Sequence, residues 1–317
     1  ETAKEHGMPD GILCHLLAED FTVGQQLVQD SRVKAVGFTG SIGGGMALQK
    51  LINERKEPIP LYAEMGSSNP LVLTKSALDA RSPEIAKQIA ASVLLNAGQF
   101  CTSPGLLFIE ETPDFESFKA DVIKFFSNAE LQCMLHPGIS KRYFERVKQQ
   151  AELVNVLYEG KREGNYIQPC LAEVSASQFI AHPEIQEEIF GSYLTIIRCS
   201  GQEEIRECLE LLEGQLTASL YSEDAAEVEA FLPLLSSKAG RIILNGVPTG
   251  VEVSFAQQHG GPFPSSSNAY FTSVGWDAIK RFERSVTFQN FPKDFNSKLV
   301  NFNGNTEFLH FLNGKYR

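Results

Sequence analysis

Val36-Gly37-Phe38-Thr39-Gly40-Ser41-Ile42-Gly43-Gly44-Gly45 sets an apolar run, a glycine-rich turn and the start of a periodic segment in direct succession. Read along the chain, this is a buried strand feeding a helix, the unit from which α/β folds are assembled. Glycine at such a helix start removes the Cβ and lets backbone N–H groups approach a phosphate. A βα turn that is glycine-rich only in order to turn tightly would look the same.

Outward from this turn the pattern repeats. Apolar runs at 11–17, 33–38, 60–63, 71–73, 105–109, 193–197, 216–221 and 241–245 predict strands. Helical spacing predicts helices at 44–55, 84–96, 113–126, 140–153, 203–212 and 224–236, with Thr112 capping a helix whose first turn holds Pro113. The alternation predicts an α/β architecture. Residues 1–65 supply too few strands for a doubly wound nucleotide-binding sheet, and neither GxGxxG nor a Walker sequence is present. They read as the end of an incomplete dinucleotide-binding domain, followed by a complete catalytic thiol domain at 66–290. The tail at 291–317 carries Leu299, Val300, Phe302, Phe308, Leu309, Phe311 and Leu312, and reads as a strand that needs a neighbour.

Composition narrows the function classes. The 317 residues carry 28 Lys plus Arg against 39 Asp plus Glu, a net charge of −11, which argues against nucleic acid or an anionic membrane as partner. The longest uncharged stretch, 88–109, contains Asn96, Gln99, Thr102, Ser103 and Pro104 and does not read as a membrane span. Cys14, Cys101, Cys133, Cys170, Cys199 and Cys208 form no CxxC pair and have no histidine at metal-finger spacing, so free thiols, a cytoplasmic setting and no metal site are expected.

Two segments carry chemistry. Glu64 ends an apolar run, and a carboxylate at a buried strand end has its pKa raised towards that of a general base, unless turn N–H groups hold it. Cys101 lies in the small-residue turn Asn96-Ala97-Gly98-Gln99-Phe100-Cys101-Thr102-Ser103-Pro104, where exposed sulfur and nearby N–H groups favour a thiolate or an oxyanion. The other five cysteines read as packing.

With Phe38-Thr39-Gly40-Ser41, Glu64-Met65-Gly66, Gly98-Gln99-x-Cys101-Thr102 and Glu187-Glu188-Ile189-Phe190-Gly191 in this order, the chain resembles the aldehyde dehydrogenase superfamily, from about residue 3 to 292. Asn245-Gly246-Val247-Pro248-Thr249-Gly250-Val251-Glu252-Val253, His259-Gly260-Gly261-Pro262-Phe263-Pro264 and Thr272-Ser273-Val274-Gly275 look like its bacterial NADP-preferring branch, which includes 2,5-dioxovalerate (α-ketoglutarate semialdehyde) and long-chain aldehyde dehydrogenases.

The resemblance implies an oxidoreductase converting an aldehyde to a carboxylic acid with NADP or NAD. It implies Cys101 as nucleophile, Glu64 as base for deacylation, and Gly40, Ser41, Gly45, Met65, Glu188 and Phe190 at the cofactor, with Glu188 on a ribose hydroxyl. His259 is either a neighbour of Cys101 or a loop histidine bonded to backbone. Ser192 stands where the family has proline. The family's first part, with an oxyanion-binding Asn and a cofactor-contacting Lys, has no counterpart among these residues, so a complementing N-terminal segment or a homo-oligomer is an expected partner. A catalytically silent remnant and a Cys101/His259 thiol hydrolase are the competing classes.

Overall fold

The computed structural model of the protein describes residues 2–251, 253–292, 311–312 and 315–316. Residues 1–281 form one compact unit and 282–317 another. After a helical turn at Thr2–Glu5, the first unit runs through α1 (Thr22–Gln29), β1 (Val36–Thr39), α2 (Ile42–Asn53) and β2 (Leu61–Glu64). β1 and β2 pair in parallel, with Val36 beside Leu61 and Thr39 beside Glu64. One face of this two-stranded sheet is covered: Ile52 of α2 and Val28 of α1 pack with Ile59, Leu61, Ala63 and Met65.

The chain continues through β3 (Leu71–Leu73), α3 (Lys75–Leu94), β4 (Leu106–Glu110), α4 (Phe115–Ser127), α5 (Pro137–Gln150), β5 (Asn155–Glu159), β6 (Cys170–Ser175), α6 (Ala176–Ala181), β7 (Tyr193–Cys199), α7 (Gln202–Leu211), β8 (Gln215–Tyr221), α8 (Ala225–Lys238) and β9 (Ala239–Leu244). Seven of these strands form one sheet in the order β9-β8-β3-β4-β7-β6-β5, parallel throughout except where β5 meets β6. A parallel sheet is covered on both faces, which is why β3 and β4 read as unbroken apolar runs. Alternation divides them: Leu71, Leu73, Leu107 and Ile109 join one core with Ile85, Ile89, Phe118 and Phe126. Val72, Leu106 and Phe108 join the other with Phe179, Ile205 and Phe231.

Some expectations are corrected. Segment 11–17 is not a strand; it is turn and irregular chain, with Leu13 and Leu17 exposed, because no strand lies beside it to accept its backbone bonds. The helix expected from residue 84 begins at Lys75, broken at Arg81 (φ −141°) ahead of Pro83, and so is two helical segments end to end. Thr112 accepts from the Asp114 N–H at 3.2 Å in a turn before the helix, which starts only at Phe115. α1, β5, β6 and α6 were not foreseen.

In the second unit Phe288 and Phe291 meet edge to face, and Phe311–Leu312 pairs antiparallel with Lys315–Tyr316. The rest of the expected tail strand lies outside the described residues. Among the described residues no helix is long and apolar enough to cross a membrane.

Candidate active site

Glu64 is the last residue of β2, Cys101 lies between α3 and β4, and His259 lies in the loop after β9. One ligand atom from each falls within 4.8 Å of the others. The turn that delivers Cys101 is coiled tightly. Asn96 (φ 52°), Ala97 (φ 55°) and Gly98 (φ 67°) take three left-handed conformations in a row. At Gly98 a Cβ would lie 2.3 Å from the Gly191 carbonyl carbon, so glycine is needed for both space and conformation.

Asn69 fixes the far side of this turn. Fully buried, it donates through Nδ2 to the carbonyls of Cys101 and Ser103, both at 2.9 Å. Its Oδ1 accepts from the Thr217 hydroxyl at 2.8 Å and the Ser67 hydroxyl at 2.9 Å. Gln215 Oε1 accepts in turn from the N–H groups of Ser68 and Asn69. The polar run before β3 is therefore a satisfied network that ties the Cys101 turn to β8.

Cys101 Sγ lies 3.3 Å from His259 Nε2, which lies 3.1 Å from Glu64 Oε1. His259 and Glu64 are only 3% and 6% exposed. The Ser273 hydroxyl donates to Glu64 Oε2 and also lies 3.0 Å from the His259 carbonyl. Thr272 Oγ1 accepts from the His259 N–H at 2.9 Å. The His259 ring thus lies beside Cys101 and Glu64, while Thr272 and Ser273 hold its main chain.

Burial pushes the Glu64 carboxyl up, but hydrogen bonds from His259 and Ser273, with the charge of His259 and a bond from Cys101, outweigh it and leave Glu64 below its ordinary value. Burial and the facing Glu64 carboxylate push the Cys101 thiol up to about 12. This runs against the expectation of a turn-stabilised thiolate: burial first, and then the negative charge of Glu64, outweigh the turn's N–H groups and favour the thiol form. A carboxylate facing Nε2 also requires an N–H there, because two lone pairs would repel.

Arg241 of β9 stands nearby. Its guanidinium donates to the carbonyls of Pro248 and, at 3.3 Å, Gly250, while its buried Nε has no partner. Thr249, between them, bonds Ser92 and lies 3.5 Å from the Thr102 carbonyl. Arg241 is close enough to Cys101 for their charges to interact.

The expected cofactor residues fall in two places. Ser41 caps α2, its hydroxyl accepting from the Gly44 N–H at 3.2 Å. A Cβ on Gly45 would meet Met65 Sδ at 2.4 Å, and one on Gly40 would meet the Phe38 ring. These glycines therefore also serve close packing. Glu188 and Phe190 line a cleft with Ser67, Ser68 and Phe100. Burial pushes Glu188 up to about 7, against a bond from the Ser67 backbone, and its carboxylate lies where a side chain on Gly66 would be.

The structure brings Cys101, Glu64 and His259 together. Sequence reasoning gave no role to Asn69, Gln215, Arg241, Thr272 or Ser273. Asn69 had a signal, a polar residue fixed before proline at the mouth of an apolar strand; the others had none beyond lying in or near quoted motifs.

The aldehyde dehydrogenase family profile matches residues 1–281. The chain is 44% identical over 294 residues to alpha-ketoglutaric semialdehyde dehydrogenase 2 of Azospirillum brasilense, across 91% of this chain and 56% of that protein. It is 38% identical over 291 residues to alpha-ketoglutaric semialdehyde dehydrogenase of Acinetobacter baylyi, across 90% and 55%. The chain thus spans about half the length of the curated relatives it matches. A 1-pyrroline-5-carboxylate dehydrogenase variant from Thermus thermophilus superposes with a TM-score of 0.77 at 22% identity, over 88% of this chain and 55% of that one, a likeness of fold.

Proposed function

The chain belongs to the aldehyde dehydrogenase family, and from that premise we propose that it oxidises an aldehyde to a carboxylic acid with NAD(P)+, Cys101 acting as nucleophile and Glu64 as general base. The observation that carries this reading is the convergence of Cys101 Sγ and Glu64 on one imidazole nitrogen, at 3.3 and 3.1 Å. The names of the two relatives favour a semialdehyde that also bears a carboxylate. The branch motifs around Cys101 and His259 favour NADP over NAD.

The cofactor fits the residues present: the N–H groups opening α2 suit a phosphate, and Glu188 and Phe190 share a cleft with Phe100 on the Cys101 turn. When bound, it supplies the acceptor for the aldehyde hydride. The chain's own residues do the rest. The Cys101 thiol releases its proton to solvent. The sulfur then forms a bond to the aldehyde carbon, and the carbonyl electrons move to oxygen as an oxyanion. Loss of hydride leaves a thioester on Cys101. Glu64 next takes a proton from water, whose oxygen attacks the thioester carbon, releasing the acid and returning the sulfur. Ser273 and His259 hold the two Glu64 oxygens apart in direction, keeping one carboxylate edge towards Cys101.

A thiol hydrolase is disfavoured on geometry. There the acid orients the imidazole through the nitrogen that does not meet the nucleophile. In this protein Cys101 and Glu64 meet the same Nε2. The test is formation of reduced nicotinamide from a short semialdehyde with NADP or NAD. C101S is expected to abolish it, and NADP to give the higher kcat/KM. Undiminished turnover in C101S would overturn the reading.

A further inference from the structure

Three unlike donors, a thiol, an imidazole nitrogen and a carboxylate oxygen, come from three separate segments and point into one space. Their spacing can be compared with a metal's requirements. Zinc holds sulfur at about 2.3 Å and nitrogen or carboxylate oxygen at about 2.0–2.2 Å, so the edges of its tetrahedron run to about 3.3–3.6 Å. The sulfur-to-nitrogen edge here is 3.3 Å and the nitrogen-to-oxygen edge 3.1 Å. These two edges fall within a few tenths of an ångström of the requirement, and the sulfur-to-oxygen edge is within 4.8 Å.

We propose that Cys101, His259 and Glu64 form a binding site for a thiophilic divalent cation of the zinc class, which on binding blocks the nucleophile reversibly. Three protein ligands leave the fourth position to water, reached from the half-exposed side of Cys101. On binding, the thiol proton is released to solvent, the imidazole proton moves from Nε2 to Nδ1, and Nε2 presents its lone pair. No redox change is involved.

The surroundings favour the cation. Besides Glu64 itself, Glu188 lines a cleft with Phe100 and Ser103, close to Cys101 in sequence, so a second carboxylate lies near the donors. The Arg241 guanidinium is engaged by the carbonyls of Pro248 and Gly250. Outer contacts are already in place: Ser273 donates to the other oxygen of Glu64, and Thr272 fixes the backbone of His259. The expectation that this chain holds no metal site rested on spacing along the sequence. Cys101 lies 37 positions after Glu64 and 158 before His259, separations that spacing along the sequence does not read.

The inference shares its side chains with the functional reading, but its test needs neither aldehyde nor nicotinamide, so either can fail alone. Co2+ titrated into the intact chain is expected to give a thiolate-to-cobalt charge-transfer band that saturates at one ion per chain. C101S should lose the band. H259Q and E64Q should each weaken binding by roughly 10-fold or more, the scale on which coordination support is felt. Zn2+ should also slow iodoacetamide labelling of Cys101, mapped by mass spectrometry, with EDTA restoring it and the exposed Cys133 unaffected. A band that survives in C101S overturns the site, as does equal affinity in H259Q and E64Q. If a variant does not fold, labelling of the native chain decides: Cys101 labelled equally with and without Zn2+ overturns it.

Discussion

The two sheets present opposite ends to the same site. β1 and β2 offer their carboxyl ends, with Ser41 just beyond β1 and Glu64 closing β2. The large sheet offers its amino ends: Asn69 precedes β3, Cys101 precedes β4, Glu188 precedes β7, and Gln215 opens β8. Ligands in open α/β sheets ordinarily bind outside the carboxyl ends, a rule the small sheet follows and the large one does not. The difference has a physical basis. Parallel strands share one direction, so every segment entering them arrives at one edge, and a sheet with two buried cores makes that edge a rigid mount for Cys101. The small sheet has one covered face and carries the base. It is tied in beyond Glu64, where the Met65 N–H donates to the Ser265 carbonyl at 2.8 Å and the Ser267 N–H to the Ala63 carbonyl at 2.9 Å.

If the small sheet supplies only the base, removing that base should separate the two half-reactions. E64Q is expected to slow deacylation by roughly 100- to 10,000-fold, the range of general-base catalysis. A pre-steady-state trace of reduced nicotinamide, with the thioester trapped on Cys101, would show this. Loss of thioester formation to the same degree would mean that Glu64 also governs the thiol.

The cores should separate as well. F108A, in the large sheet, is expected to cost about 3–5 kcal/mol and to lower amide protection across β3, β4 and β7 together. I52A, in the small sheet, should cost about 2–5 kcal/mol and open β1 and β2 while β4 stays protected, read by hydrogen exchange. Protection lost everywhere in I52A would merge the two into one cooperative body.

A pH effect sharpens the contrast at the thiols. Cys101 and Cys170 are both raised above the ordinary thiol range to about 12, by burial together with Glu64 for Cys101 and Glu159 for Cys170. A raised thiol pKa means that the unfolded chain loses its proton first. Stability is therefore full below about pH 9 and declines as pH rises towards 12. Denaturant midpoints measured across that window should fall, and less steeply in C101S.

The smallest effect belongs to the small sheet. S41A removes the α2 cap and should cost about 1 kcal/mol, visible as faster exchange in the first turn of α2 alone.

Much of the fold was legible along the chain. β3 and β4 are apolar at every position because a parallel sheet buries both faces, and period alone identifies them. The run at 11–17 carried the same signal and failed, since an apolar run becomes a strand only where another strand accepts its backbone. β5 at the sheet edge and β6 beside it escaped notice because Asn155, Glu159, Glu173 and Ser175 interrupt their apolar runs.

Cys101 and Glu64 could be chosen from local chemistry and from motifs that resemble a known family, since each motif is a short contiguous string. The protonation of Cys101 could not. It depends on burial and on a carboxylate 37 residues away, and only the folded chain sets that distance. The same holds for Ser273 on Glu64 and Asn69 on the Cys101 carbonyl: their roles are contacts made across the chain. The amino-acid sequence by itself determined the α/β alternation, the glycine turn and the small-residue turn that carries Cys101, because propensity and periodicity act between near neighbours. Tertiary structure alone decided which charges face the sulfur, because electrostatic energy depends on separation in space and on the exclusion of water.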